Sequence, residues 1–127
     1  MSTMNRIANA SNRFQGDRKR VLCVCSAGLL RSPTVAWILS NEPFGFNTRA
    51  AGSNPDFALV KVDEVLIEWT DTIVFVNEEN EGQVLRDFDI SDKVVVTLNI
   101  PDNFEFRDPQ LVSIATEQLL WHFRGVE

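Results

Sequence analysis

Short runs dense in apolar residues alternate along this chain with longer stretches in which apolar residues recur every three or four positions. "VLCVC" (21–25), "FNTRAAG" (46–52), "TIVFV" (72–76) and "KVVVTLNI" (93–100) are of the first kind and predict four strands, the first and third buried. "SPTVAWILS" (32–40) predicts a helix with Ser32 at the N-cap and Pro33 in the first helical position. "PDFALVKVDEVLIEWTD" (55–71) predicts another, with Leu59, Val62, Val65, Leu66 and Trp69 on one stripe. "NEENEGQVLRDFD" (77–89) reads as an exposed acidic helix or helix-loop mixture, weakened by Gly82. The last helix is expected to start at Asp108 as N-cap with Pro109 behind it, and to bury Leu111, Ile114, Leu119 and Trp121 or Phe123.

Strand and helix alternate in this order four times, which predicts an α/β fold: a four-stranded parallel sheet flanked by helices on both faces. Ligands of such sheets bind at the carboxyl ends of the strands, near the point where the strand order reverses. Of the 127 residues, 1–19 read as a basic, disordered leader and 20–127 as one domain.

Charge sharpens this picture. Residues 1–20 carry five Lys/Arg against one Asp, and the rest carry seven against seventeen acids. So acidic a body argues against a nucleic-acid-binding face. No apolar run approaches the roughly 20 residues of a membrane span and no secretory signal stands at the N-terminus, so no membrane partner and a cytoplasmic location are expected. Cys23 and Cys25, two apart in a strand, are expected to face opposite ways and not to bridge, with Cys23 a core residue. No metal or other cofactor is expected: the one histidine, His122, falls at a helix end, the carboxylates lack ligand spacing, and no nucleotide-binding glycine pattern appears.

The candidate chemistry lies in "CVCSAGLLRSPT" (23–34). Cys25 ends the first strand, and Ser26, Ala27, Gly28, Leu29 and Leu30 form the loop entering the first helix. Such a loop can turn its backbone N–H groups inward around an anion, at the positive end of the helix dipole. Arg31 supplies a planar fork able to hold two phosphoryl oxygens at once. A thiol in this electropositive place should ionise below its usual pKa of about 8.5, and the Ser32 hydroxyl can donate to the thiolate. Gly28 suits a loop position with positive φ. Thiolate, guanidinium and amides form a phosphate-binding loop that also carries a nucleophile.

"VLCVCSAGLLRSPTVAWIL" resembles the opening of the low-molecular-weight protein tyrosine phosphatases, in particular their short branch of predicted protein tyrosine phosphatases. The family's C-x5-R-[ST] loop and Ser-Pro helix start fall on Cys25, Arg31, Ser32 and Pro33. "TRAAGSNPD", "EWTDTIVFV" and "NIPDNFEFRDPQLV" extend the resemblance over roughly residues 20 to 124. It implies a flavodoxin-like fold and cysteine-dependent hydrolysis of phosphotyrosine proteins or small aryl phosphates. Cys25 would form a phosphocysteine, Arg31 would clamp the phosphoryl group, and an aspartate would protonate the leaving group. Two departures stand out: Gly28 replaces the family's loop-bracing Asn, and Leu30 the cysteine often found before the arginine.

Two aspartates compete for the role of acid. Asp102 matches the family's position just after the fourth strand, while Asp108-Pro109 matches its dipeptide. Asp108 has a ready structural role as an N-cap, so Asp102 is favoured. Phe104 and Phe106 flank this loop and can stack on an aromatic substrate or pack on the core. The alternative function is a phosphate- or phosphopeptide-binding regulatory module with little catalysis. A thiol-relay arsenate reductase would need cysteines after Cys25, and there are none.

Overall fold

Five consecutive apolar side chains, Val21 to Cys25, need cover on both faces of a strand. In the computed structural model, which describes residues 19–25, 31–53, 60–100 and 108–123, β1 (Arg20–Cys25) receives that cover by running inside the sheet. The remaining elements are α1 (Arg31–Ser40), β2 (Asn47–Gly52), α2 (Glu64–Trp69), β3 (Thr72–Phe75), α3 (Glu78–Asp87), β4 (Val94–Thr97) and α4 (Pro109–Phe123). All strand pairs are parallel, in the order β2-β1-β3-β4. The chain steps from β1 to β2 on one side and continues from β3 to β4 on the other. The order therefore reverses between β1 and β3, where α/β sheets bind ligands.

Each sheet face has its own core. Val21, Cys23 and Cys25 of β1 pack with Val35, Leu39, Leu111, Ala115 and Leu119 of α1 and α4. Leu22 and Val24 pack with Leu66, Ile67, Phe75 and Val84 on the α2 and α3 side. Truncating Phe75, fully buried there, to alanine should cost about 3–5 kcal/mol. Urea unfolding should show a lowered midpoint with unchanged slope.

Cys23 and Cys25 share one face and one core, which overturns the expectation of opposite faces; residues two apart in a strand point the same way. Neither thiol forms a disulfide. Burial, and secondarily the neighbouring Cys25, push the Cys23 pKa well above the ordinary thiol value. In the unfolded chain this thiol ionises near pH 8.5, while the folded chain keeps it protonated. Above that pH the unfolded state holds fewer protons, so stability falls as pH rises, by up to about 1.4 kcal/mol per unit. The chain has no tyrosine to titrate in the same range. Cys23→Val should therefore visibly flatten the decline in unfolding free energy between about pH 8.5 and 10.

Several elements differ in extent from the sequence expectation. The helix expected over 55–71 is only Glu64–Trp69 within the described residues, capped by Asp63, whose side chain accepts from Leu66 N–H. The segment before it spends its backbone bonds on the end of β2: Gly52 N–H donates to the Val60 carbonyl at 2.8 Å and Val62 N–H to the Gly52 carbonyl at 3.1 Å. Thr97 ends β4, although Leu98 and Ile100 N–H still donate to the Phe75 and Val76 carbonyls. On α4 the buried stripe is Leu111, Ala115, Leu119 and Phe123; Ile114 is half-buried and Trp121 exposed. Phe123 packs on Phe44 and Phe46, with ring centroids 6.2 and 5.3 Å away. Among the described residues, no helix is long and apolar enough to cross a membrane.

Candidate active site

Cys25 is the last residue of β1, level with Gly52 of β2, and only 3% exposed. The backbone N–H of Ser53 donates to its carbonyl at 2.8 Å. α1 begins at Arg31, one residue earlier than expected, so Ser32 lies in its first turn rather than at the N-cap. That hydroxyl is buried against the thiol: Cys25 Sγ and Ser32 Oγ are 3.1 Å apart, and Ser32 Oγ lies 3.4 Å from the Ala51 carbonyl. With Cys25 protonated, its S–H donates to Ser32, whose hydroxyl donates to Ala51. Once the thiol loses its proton, a rotation of the hydroxyl points the Ser32 hydrogen at sulfur instead.

Arg31 is 96% buried, and its Nη1 donates to the Ile100 carbonyl at 3.1 Å. This bond ties the start of α1 to the backbone just beyond β4. At the carboxyl ends of β3 and β4, a cavity of about 500 Å³ is lined by Asn77, Glu78, Glu79, Thr97, Leu98 and Asn99. A larger one of about 650 Å³, lined by Arg86, Phe88, Lys93 and Val95 among others, lies at the amino end of β4, away from Cys25.

Across the site, Asn77 caps α3, its side chain accepting from Asn80 N–H at 3.3 Å. Asn80 is fully buried, and its Nδ2 donates to Ser53 Oγ at 3.2 Å, while the Ser53 hydroxyl donates to Gln83 Oε1. The sequence reading missed Ser53, Asn80 and Gln83. Only Asn80 carried a signal, its four-residue spacing from Val84, and within an acidic stretch that spacing reads as a solvated face.

Asp108 is occupied as a cap: its Oδ1 accepts from Gln110 N–H at 2.8 Å and its carbonyl from Val112 N–H at 2.9 Å. Ser26, Ala27, Gly28, Leu29, Leu30, Asp102, Phe104 and Phe106 lie outside the described residues. The structure thus brings Cys25, Arg31 and Ser32 to one strand end and sets Asp108 at the head of α4.

No protein-family model matches the chain, and no curated protein matches it. Solved structures do. A low-molecular-weight phosphotyrosine phosphatase from Vibrio cholerae O395 superposes with a TM-score of 0.61 at 16% identity, over 85% of this chain and 99% of that one. A low-molecular-weight protein tyrosine phosphatase from Campylobacter jejuni gives 0.59 at 19% identity, covering 86% and 97%. The fold is that of the low-molecular-weight phosphatases. An arginine phosphatase from Geobacillus stearothermophilus is similar to the same degree, with a TM-score of 0.61 at 16% identity over 86% and 97%. The bonded pair Cys25 and Ser32 lies at the carboxyl end of β1, next to the point where the strand order reverses and α/β sheets bind ligands.

Proposed function

We propose that this chain is a cytoplasmic, cysteine-dependent phosphomonoesterase of the protein tyrosine phosphatase kind, acting on phosphotyrosine proteins or small aryl phosphates. The observation that carries this reading is the Cys25 thiol 3.1 Å from Ser32, beside buried Arg31, on this fold. The Cys25 thiolate attacks phosphorus, forming an S–P bond as the P–O bond to the leaving group breaks. The leaving oxygen takes a proton from an aspartic acid. Water then attacks the phosphocysteine, gives its proton to that aspartate, and breaks the S–P bond, releasing phosphate and the thiolate. Arg31 and the amides of residues 26–30 hold the equatorial oxygens throughout, and Ser32 steadies the thiolate in both steps.

The test is hydrolysis of p-nitrophenyl phosphate from mildly acidic to neutral pH, with phosphate and vanadate as competitive inhibitors. Turnover that both anions suppress supports the phosphatase. A folded protein that binds phosphate without turnover would instead be the regulatory binding module. The neighbour from Geobacillus makes a phosphoarginine peptide the natural second substrate to compare.

The acid in this scheme is Asp102; the Asp108 carboxylate is taken up by Gln110 N–H. Asparagine caps a helix as well as aspartate does, so Asp108→Asn should leave stability and activity near wild type. Asp102→Asn should lower kcat on aryl phosphates about a hundredfold, the usual scale for a lost proton donor, with phosphate inhibition unchanged. The reverse pattern would move the acid to Asp108. A milder loss, about tenfold in kcat, is expected for Ser32→Ala, which removes one hydrogen bond to the charged sulfur.

A further inference from the structure

α3 buries two side chains, Val84 and Asn80. Burying an amide completely is unfavourable unless it is hydrogen-bonded, and Asn80 is bonded through its Nδ2 on a surface where an aliphatic residue would pack more simply. Its Nδ2 donates to Ser53 Oγ at 3.2 Å. Gln83, one turn on and on the same face, accepts from that hydroxyl through Oε1. Ser53 in turn donates its backbone N–H to the Cys25 carbonyl at 2.8 Å. These bonds run without a break from α3, through the turn after β2, to the peptide of the candidate nucleophile.

We infer that Asn80, seconded by Gln83, is a positioning residue for Cys25. One side chain donates to the Ser53 hydroxyl and the other accepts from it, and so they hold its N–H against the Cys25 carbonyl. That bond sets the tilt of the Cys25 carbonyl, and with it the backbone on which Sγ is carried. Sγ must meet Ser32 Oγ at 3.1 Å, and hydrogen bonds weaken steeply when their angle is lost. Releasing Ser53 would let the peptide tilt and weaken the bond between Cys25 Sγ and Ser32 Oγ. The inference rests on Cys25 being the nucleophile, but its test needs no turnover.

The experiment measures iodoacetamide alkylation of Cys25 in the full chain at about pH 6, where the thiolate is the reacting form, with and without inorganic phosphate. Mass spectrometry of the fragmented 21–31 peptide separates Cys25 from Cys23. Asn80→Leu, close in volume but without the donor, should slow Cys25 alkylation about tenfold and raise the phosphate needed for half protection by a similar factor. Gln83→Leu should slow it about threefold, and Asn80→Leu should add little on a Ser53→Ala background, because both act through one hydroxyl.

Urea unfolding of each variant accompanies the rates. If Asn80→Leu does not fold, half-buried Gln83 and Ser53→Ala decide the matter by the same readout. Lowered stability with wild-type alkylation and wild-type phosphate protection overturns the inference and leaves Asn80 a strut between α3 and β2. A wild-type Cys25 that reacts at the rate of an ordinary thiol, unprotected by phosphate, removes the nucleophile reading itself before any variant is compared.

Discussion

A Cys25→Ser protein should hydrolyse p-nitrophenyl phosphate at least about 10⁴-fold more slowly than wild type, the scale of loss when a covalent nucleophile is removed. The reason lies in what surrounds the position. A serine hydroxyl needs a base to take its proton at neutral pH, and the hydroxyl it would face, Ser32 Oγ 3.1 Å away, is not one. A thiol loses its proton several pH units more readily. The exchange is nearly neutral in volume at a site 3% exposed, so the fold should survive it. Arg31 is untouched, so inorganic phosphate should still bind, as calorimetry can show. Persistent hydrolysis by Cys25→Ser would mean that another group attacks phosphorus and that the mechanism is wrong. Loss of hydrolysis together with phosphate binding would mean instead that the loop had collapsed, and Cys25→Ala would then be the cleaner variant.

Arg31 carries the second large effect. Arg31→Lys keeps the positive charge but loses the planar fork and the Nη1 bond to the Ile100 carbonyl at 3.1 Å. Losing one preorganised donor to the transferring phosphoryl group typically costs 10²–10³-fold, and losing a bidentate one should reach about 10³-fold in kcat/KM. Arg31→Ala goes further, since it also strands the Ile100 carbonyl, at about 1–3 kcal/mol of folding stability. Added guanidinium should restore part of the Arg31→Ala activity, a recovery that a purely structural arginine would not show. A lysine variant within a few-fold of wild type would remove the clamp from the mechanism.

How much of this was legible in the sequence depends on which force fixes each element. β1 and β3 were plain because an unbroken apolar run has no stable place except inside a sheet. The α2 boundary was not, because apolar spacing over 59–69 fits a helix equally well where the backbone of Val60 and Val62 bonds Gly52 instead. Trp121 and Phe123 are alternatives for the end of the α4 stripe, and Trp121, about 200° round the helix from Leu119, is the one left exposed. Cys25, Arg31 and Ser32 could be assembled from spacing, since one strand end and one helix start hold all three. Asn80 and Gln83 could not: in "NEENEGQ" they read as members of a solvated acidic face. Polar residues declare their burial only through partners far along the chain, here Ser53 at a separation of 27 to 30 residues.

The bond from Arg31 to Ile100 spans 69 positions, and this has a consequence for how the protein is made. During synthesis β1, α1 and β2 leave the ribosome well before β4 exists, so the thiol at Cys25 is translated, and can meet oxidants, while the carbonyl that orients its arginine is still unmade. Contacts of such long sequence separation also close late in refolding, because the intervening chain must be ordered first. An early nascent chain thus carries Cys25 and Arg31 without the backbone carbonyl that Arg31 bonds in the folded protein.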